Sequence, residues 1–208
     1  MIYAIGDVHG CCKTLKALMQ KLPYEPDDLL VFMGDYIDRG PDSRGVLEYL
    51  IELLDRHRKL VYLRGNHEQM CLDALKGGQA DDMALWVQNG ASATLKSYDG
   101  HMDAGHVWML DAMPLWYETE DYFFCHAGVD PRFSLDQQPK EALLWMREPF
   151  IESQQNFGKQ VVFGHTVLKQ VWVTANKIGI DTGCVYGRKL SAIALPDQHV
   201  FEEPCCDL

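Results

Sequence analysis

Short apolar runs alternate with amphipathic stretches over the first two-thirds of the chain. Ile2–Ile5, Leu29–Met33 and Leu60–Leu63 are continuous apolar runs of strand length. Between them, Cys12–Leu22 and Ser43–Arg58 read as helices, the second carrying Val46, Leu47, Leu50, Ile51 and Leu54 at helical spacing. Glu68–Lys76 reads as a third helix. Strands separated by helices of this length imply βαβ units and a parallel sheet. From Gly77 to Pro114 the pattern changes to two helical stretches, Asp82–Asn89 and Asp103–Met113, set apart by Gly-rich breaks. Beyond them strands dominate. Leu115–Glu118 and Tyr122–Cys125 flank a turn at Glu120–Asp121, and Val161–Phe163, Val171–Val173, Ile178–Ile180, Leu190–Leu195 and Val200–Phe201 follow, with one short helix at Glu141–Met146. No linker, repeat or low-complexity tract interrupts the chain. The pattern predicts one α/β domain over residues 1–208 with a mixed second sheet.

Composition narrows the class. Apolar residues make up 47% and charged residues 24% of the 208 positions, which excludes a disordered chain, a collagen-like fibre and a coiled coil. No run approaches the roughly 18 apolar residues that a membrane helix needs. The N-terminal MIYAIGDVHG has neither a basic region nor an apolar stretch of signal-peptide length, so a cytoplasmic protein with no membrane partner is expected. Nineteen basic residues against 30 acidic ones give a net charge of −11, which disfavours nucleic acid as a partner and is compatible with bound cations. The seven cysteines are odd in number and include no CxxC pair, which argues against a disulfide framework or a cysteine zinc site. They are expected to be small buried residues plus an exposed, oxidisable Cys205–Cys206 tail.

One pattern carries the chemistry. Four times an apolar strand ends, a glycine follows, and a metal-ligand type comes next: Gly6-Asp7, Gly34-Asp35, Gly65-Asn66 and Gly164-His165. A fifth run, Phe123-Phe124-Cys125-His126, lacks only the preceding glycine. Ligands bind at the carboxyl ends of strands in open α/β sheets, and glycine there permits close backbone approach. Asp7, His9, Asp35, Asn66, His126 and His165 are therefore expected to converge. The set mixes oxygen and imidazole donors without thiolate, which suits Mn²⁺, Fe or Zn²⁺. Six ligands exceed what one catalytic ion with open positions needs, and a shared carboxylate can hold two ions roughly 3.5–4 Å apart.

Gly6-Asp7-Val8-His9-Gly10, Gly34-Asp35-Tyr36-Ile37-Asp38-Arg39-Gly40 and Gly65-Asn66-His67-Glu68, with His126 and Gly164-His165 downstream, resemble the metallophosphoesterases, and within them the phosphoprotein phosphatase branch of bacterial and phage lambda-type serine/threonine phosphatases. The resemblance implies an αββα sandwich of two mixed sheets flanked by helices. It implies one divalent ion, expected to be Mn²⁺, on Asp7, His9 and Asp35, and a second on Asp35, Asn66, His126 and His165, with Asp35 as the bridge. A hydroxide bridging the two ions would attack phosphorus directly. His67 would be the general acid, and Asp38 would hydrogen-bond it and keep it protonated. Arg39, Asn66 and a second arginine would bind phosphate; Arg147 is the best match and Arg132 its rival. The implied activity is hydrolysis of phosphoserine and phosphothreonine, with phosphotyrosine as a further substrate, in proteins by a monomer. The alternative is a symmetrical dinucleoside tetraphosphate hydrolase. Asp38, Glu68 and the compact length favour the phosphatase. His57, His101 and His106 are expected at the surface, the five tryptophans in the core or cleft wall, and Ile180-Asp181-Thr182-Gly183 in a strand turn near the site.

Overall fold

The computed structural model describes residues 1–77 and 79–208. Its strands and helices follow the sequence pattern closely. The first sheet contains β1 (Ile2–Ile5), β2 (Leu29–Phe32) and β3 (Leu60–Tyr62), which run parallel, joined by α1 (Cys12–Lys21) and α2 (Ser43–Arg56). After β3 come α3 (Asn66–Leu72), ending in a π-helical turn at Asp73–Gly77, then α4 (Ala80–Gln88), α5 (Ala91–Ser97) and α6 (Ala104–Ala112). The second sheet holds β4 (Trp116–Glu118), β5 (Tyr122–Cys125), β6 (Gln160–Phe163), β7 (Trp172–Val173) and β8 (Lys177–Gly179), with α7 (Lys140–Trp145) between β5 and β6. The chain then returns to the first sheet through the hairpin β9 (Lys189–Leu195) and β10 (His199–Pro204). Strand order is β10-β9-β1-β2-β3 in one sheet and β4-β5-β6-β8-β7 in the other, and both are mixed.

The two sheets pack face to face between helical layers, the αββα sandwich that the resemblance implies. Ala4, Val31 and Met33 from the first sheet meet Phe124, Val162 and Ile178 from the second in a fully buried inner core. Residues of opposite parity face the helices. Tyr3, Ile5 and Phe32 pack with α1 and α2, and Phe123, Cys125, Val161 and Phe163 pack with Leu143 of α7 and Phe150. Strands buried on both faces must be apolar at every position, which is why these runs are legible as continuous rather than alternating.

Several local readings change. The apolar face of α2 runs through Val46, Leu47, Leu50 and Leu53, while Ile51 and Leu54 are exposed, because the helix presents a stripe only about 100° wide to the sheet. α3 begins at Asn66 rather than Glu68, so the Gly-Asn-His-Glu motif forms its first turn. The helix α5 has no counterpart in the sequence reading. His57 is buried, not solvated: its Nε2 lies 2.7 Å from the Asp28 carbonyl, and its ring meets Tyr24 edge-on at 5.3 Å. His106 is likewise buried, with Nδ1 2.6 Å from the Tyr98 hydroxyl, while His101 is exposed as expected. Trp108 is 73% exposed and belongs to neither core nor cleft wall. Cys206 is exposed, but Cys205 is partly buried against the body of the protein. No helix among the described residues is long and apolar enough to cross a membrane.

Candidate metal centre

Four of the five strand ends deliver their ligand over a glycine that admits no side chain, and Cys125 precedes His126 at the fifth. At Gly34 the backbone has φ +100°, and a Cβ would lie 2.7 Å from the Gly65 nitrogen and 2.9 Å from His126 Nδ1. At Gly164 a Cβ would collide with Asp7 Oδ1. Five residues of the site are themselves strained. His9, Asp35, Asp38, Arg39 and His165 all adopt positive φ, between 46° and 71°. Such backbone costs about 1–3 kcal/mol per residue and clusters where function demands a particular aim.

The six expected ligands converge from both sheets. Asp35 is central: Oδ2 lies 3.3 Å from His9 Nε2, and Oδ1 lies 3.4 Å from His126 Nε2. Two groups of donor atoms that could hold an ion share this carboxylate, His9–Asp35–His67 and Asp35–His126–His165. Asn66 Oδ1 sits 2.9 Å from His126 Nε2 and 3.0 Å from His165 Nδ1. Asp7 Oδ2 accepts from the His165 backbone N–H at 2.9 Å, while Oδ1 is buried without a partner. Two imidazoles are oriented by main-chain carbonyls: His9 Nδ1 donates to Ile37 at 2.8 Å and His126 Nδ1 donates to Met33 at 2.8 Å. A carbonyl can only accept, so in both rings Nε2 is turned towards Asp35, the arrangement found behind metal-ligating histidines.

The electrostatics call for cations. Burial drives the Asp7 carboxyl well above its usual range, and the charge of Asp181 adds to the effect. Burial likewise pushes Asp181 up to about 6. Burial also opposes ionisation of Asp35, but the positive charges of His126 and His67 outweigh it and hold this carboxyl well below the ordinary value. On His126 burial is outweighed by Asp35, which lifts the imidazole up to about 10. Burial pulls His9 and His165 down to about 3, so both rings are neutral and free to donate a lone pair. Divalent cations fit this donor set: they would take the place of the His126 proton and give the orphaned Asp7 Oδ1 a partner.

His67 differs from the other histidines. Its Nδ1 donates to Asp38 Oδ2 at 2.7 Å, and its Nε2 is buried with no partner, 4.0 Å from Asp35 Oδ2. Asp38 is fully buried and accepts three further contacts, from Trp86 Nε1 at 2.9 and 3.1 Å and from Thr94 Oγ1 at 2.6 Å. A cleft of about 180 Å³ opens over these groups, lined by Arg39, Asn66, His67, Trp145, Arg147 and Tyr186 among others. Arg39 Nη1 lies 2.9 Å from His9 Nε2, and its guanidinium sits 5.9 Å from the Tyr186 ring centroid. Of the two rival arginines, Arg147 is in the cleft. Arg132 is 81% exposed and forms a bidentate pair with Asp130.

Three further residues support the site. Glu68, buried, accepts from the backbone N–H groups of Asp35, Tyr36, Ile37 and Gly65 at 2.8–3.3 Å and so fixes the loop carrying the central aspartate. Burial, reinforced by Asp35, pushes its carboxyl up to about 7, yet four donors on two oxygens require the acceptor-only ionised form. Trp86 and Thr94, from α4 and α5, hold Asp38. Glu68 is part of the Gly-Asn-His-Glu motif, but its role as an anchor for the Asp35 loop is not legible there; nothing local in sequence marks the other two. The Ile180–Gly183 segment forms the expected turn, with Asp181 Oδ1 accepting from Gly183 N–H at 2.9 Å.

Comparison with known proteins agrees with this geometry. The sequence profile of the calcineurin-like phosphoesterases matches residues 1–198. Serine/threonine-protein phosphatase 1 of Salmonella typhimurium is 33% identical over 202 aligned positions, covering 91% of this chain and 89% of that protein. The asymmetrical bis(5'-nucleosyl)-tetraphosphatase PrpE of Bacillus thuringiensis is 25% identical, covering 96% and 92%. Among solved structures, a candidate diadenosine tetraphosphatase superposes with a TM-score of 0.80 at 24% identity, covering 98% of this chain and 92% of that one. A cold-active protein tyrosine phosphatase variant superposes at 0.70 and 18%, covering 100% and 78%. The chain belongs to the calcineurin-like phosphoesterases, hydrolases that use divalent metal ions.

Proposed function

We propose that this phosphoesterase is a cytoplasmic, monomeric, Mn²⁺-dependent phosphatase that removes phosphate from phosphoserine and phosphothreonine, and also from phosphotyrosine, in proteins. The carrying observation is the buried His67–Asp38 pair at 2.7 Å, with His67 Nε2 unpartnered at the cleft. Asp7, His9 and Asp35 would hold one ion, and Asp35, Asn66, His126 and His165 the other. Bound divalent ions supply Lewis acidity and acidify coordinated water. Arg39 and Arg147 clamp the phosphoryl oxygens, each with a planar fork of donors, and Asn66 contributes its amide. His67 gives its Nε2 proton to the departing oxygen, and Asp38 fixes the ring so that this proton points into the cleft. A serine or threonine alkoxide leaves poorly, so a positioned acid is worth typically 10²–10⁴-fold. A nucleoside polyphosphate departs readily without one. The cleft volume of about 180 Å³ also suits a phosphoryl head better than two nucleosides.

The second reading is a dinucleoside tetraphosphate hydrolase, favoured by the relatives of that name at 25% identity. Chain length does not separate the two, because those relatives are 92% covered by the alignment. The deciding measurement is kcat/KM with Mn²⁺ on a phosphothreonine peptide and on diadenosine tetraphosphate, with products resolved by chromatography. The proposal expects the peptide to be favoured by tenfold or more. A preference of that size for the dinucleotide overturns it.

A further inference from the structure

Away from the cleft carboxylates, three sulfurs converge. Cys11, Cys184 and Cys205 have Sγ atoms that all lie within 4.8 Å of one another. They come from distant parts of the chain. Cys11 directly precedes α1, Cys184 opens a short 3₁₀ turn at Cys184–Tyr186, and Cys205 follows β10. Cys11 and Cys184 are buried and Cys205 is partly exposed. The tail is pinned in place from both sides. Cys205 N–H donates to the Arg188 carbonyl at 2.8 Å, and Cys206 N–H donates to Thr14 Oγ1 at 3.0 Å. Asp207 then accepts from the Lys13 and Thr14 N–H groups at 3.0 and 2.8 Å and from the Thr14 hydroxyl at 2.6 Å. These contacts supply the cap that α1 otherwise lacks, since Cys11 makes no side-chain cap.

We propose that Cys11, Cys184 and Cys205 form a second, thiolate metal site that takes a thiophilic d¹⁰ cation, Zn²⁺, with an open fourth position at the exposed edge of Cys205. Tetrahedral zinc with Zn–S bonds near 2.3 Å places its sulfurs about 3.8 Å apart. The three sulfurs, all within 4.8 Å of one another, lie at most about an ångström beyond that. Soft thiolates select Zn²⁺ over Mn²⁺ or Mg²⁺, whereas the oxygen and imidazole donors of the cleft also accept the harder Mn²⁺. Binding deprotonates the thiols and releases their protons to solvent; no oxidant or reductant is involved. The ion would fasten the tail to two cleft segments. Cys11 lies two residues after His9, and the Cys184–Tyr186 turn carries the tyrosine that lines the cleft beside Arg39.

The probe is Cd²⁺, whose thiolate complexes show an ultraviolet charge-transfer band that oxygen and imidazole ligands do not give. The full chain, reduced and stripped by chelation, is titrated with Cd²⁺, then with competing Zn²⁺. The band should appear, saturate, and disappear as Zn²⁺ replaces Cd²⁺; Mn²⁺ should produce none. Cys205→Ser, a change at a partly exposed position, should remove about a third of the band or more, in keeping with one of three sulfur ligands. Cys71→Ser, a cysteine outside the cluster, should leave it intact. A second measurement needs no variant: Zn²⁺ should slow alkylation of Cys205 by at least tenfold and leave exposed Cys206 unprotected. Absence of the band, a band undiminished by Cys205→Ser, or equal alkylation of Cys205 with and without Zn²⁺ overturns the site.

Discussion

Asp38→Asn isolates the charge behind the proposed acid while leaving its shape. The carboxylate accepts from His67 Nδ1 and Trp86 Nε1 on one oxygen and from Thr94 Oγ1 on the other. An asparagine can keep its carbonyl towards His67 and Trp86 and turn its amide towards Thr94. Thr94 can then accept, because its hydroxyl can instead donate to Ser43 Oγ, 3.0 Å away. The fold should therefore survive, which circular dichroism and a thermal melt would verify. What changes is the contact to His67. A hydrogen bond between charged partners contributes about 1.5–3 kcal/mol and a neutral one about 0.5–1.5, so the charged ring loses on the order of 1–2 kcal/mol. At 1.36 kcal/mol per decade, that is roughly a tenfold loss where proton donation limits turnover. The assay compares kcat/KM on a phosphothreonine peptide and on p-nitrophenyl phosphate, whose leaving group needs little protonation. The peptide reaction should fall about tenfold and the aryl reaction less than about threefold. Equal losses would refute the reasoning and make Asp38 a scaffold residue; an unchanged peptide rate would remove it from the reaction.

Arg39→Ala and Arg147→Ala should each raise the inhibition constant of inorganic phosphate about tenfold or more, the equivalent of one charge-assisted hydrogen bond, while Arg132→Ala should leave it unchanged because that side chain is committed to Asp130. Glu68→Gln puts an amide in place of one of two oxygens that each accept from two N–H groups. Two buried donors then go unpaired at about 1–3 kcal/mol each, and Tm, read by calorimetry, should fall by at least about 4 °C. Exhaustive chelation should abolish activity and lower Tm. An ion at 100 times its dissociation constant contributes about 2.7 kcal/mol, or roughly 5–10 °C for a chain of this size. Full activity with no metal detectable would sink the two-ion reading.

The strand ends were legible in the sequence because two independent constraints coincide there. A strand covered on both faces must be apolar throughout, and a ligand reached across a crowded strand end needs glycine before it, as the contacts at Gly34 and Gly164 show. Asp7, Asp35, Asn66 and His165 therefore stand out against a uniform background. The supports of the acid pair were not legible. Thr94 lies in α5, whose ASATLKS carries a single large apolar residue and so has no hydrophobic period to detect. Trp86 looked like any core tryptophan, and only the fold points its indole N–H at Asp38. His57 sits among Asp55, Arg56, Arg58 and Lys59, and local charge suggested solvent. The Asp28 carbonyl that buries its imidazole is brought there by strand pairing. The thiol cluster was hidden for the same reason. Its members are 173 and 21 residues apart, and only the return of the last hairpin to β1 assembles them.

The division of the centre between two sheets has a consequence for how it is held. Asp7, His9, Asp35 and Asn66 extend from the first sheet and His126 and His165 from the second. Direct contacts lock the halves together: His126 Nδ1 donates to Met33 at the end of β2, and the His165 N–H donates to Asp7. Ligand spacing is therefore set by the thickness of the inner core formed by residues such as Val31, Met33, Phe124 and Val162, two to four positions before the ligands along the chain. Rigid packing of that core is what can sustain five left-handed residues at one site, since strain of about 1–3 kcal/mol each persists only where the surroundings over-determine it. The ion on Asp7, His9 and Asp35 would rest on the first sheet alone, whereas the one on Asp35, Asn66, His126 and His165 would need both. That second ion would be a cross-link between the sheets as well as a reagent, so its loading and inter-sheet packing must stabilise each other.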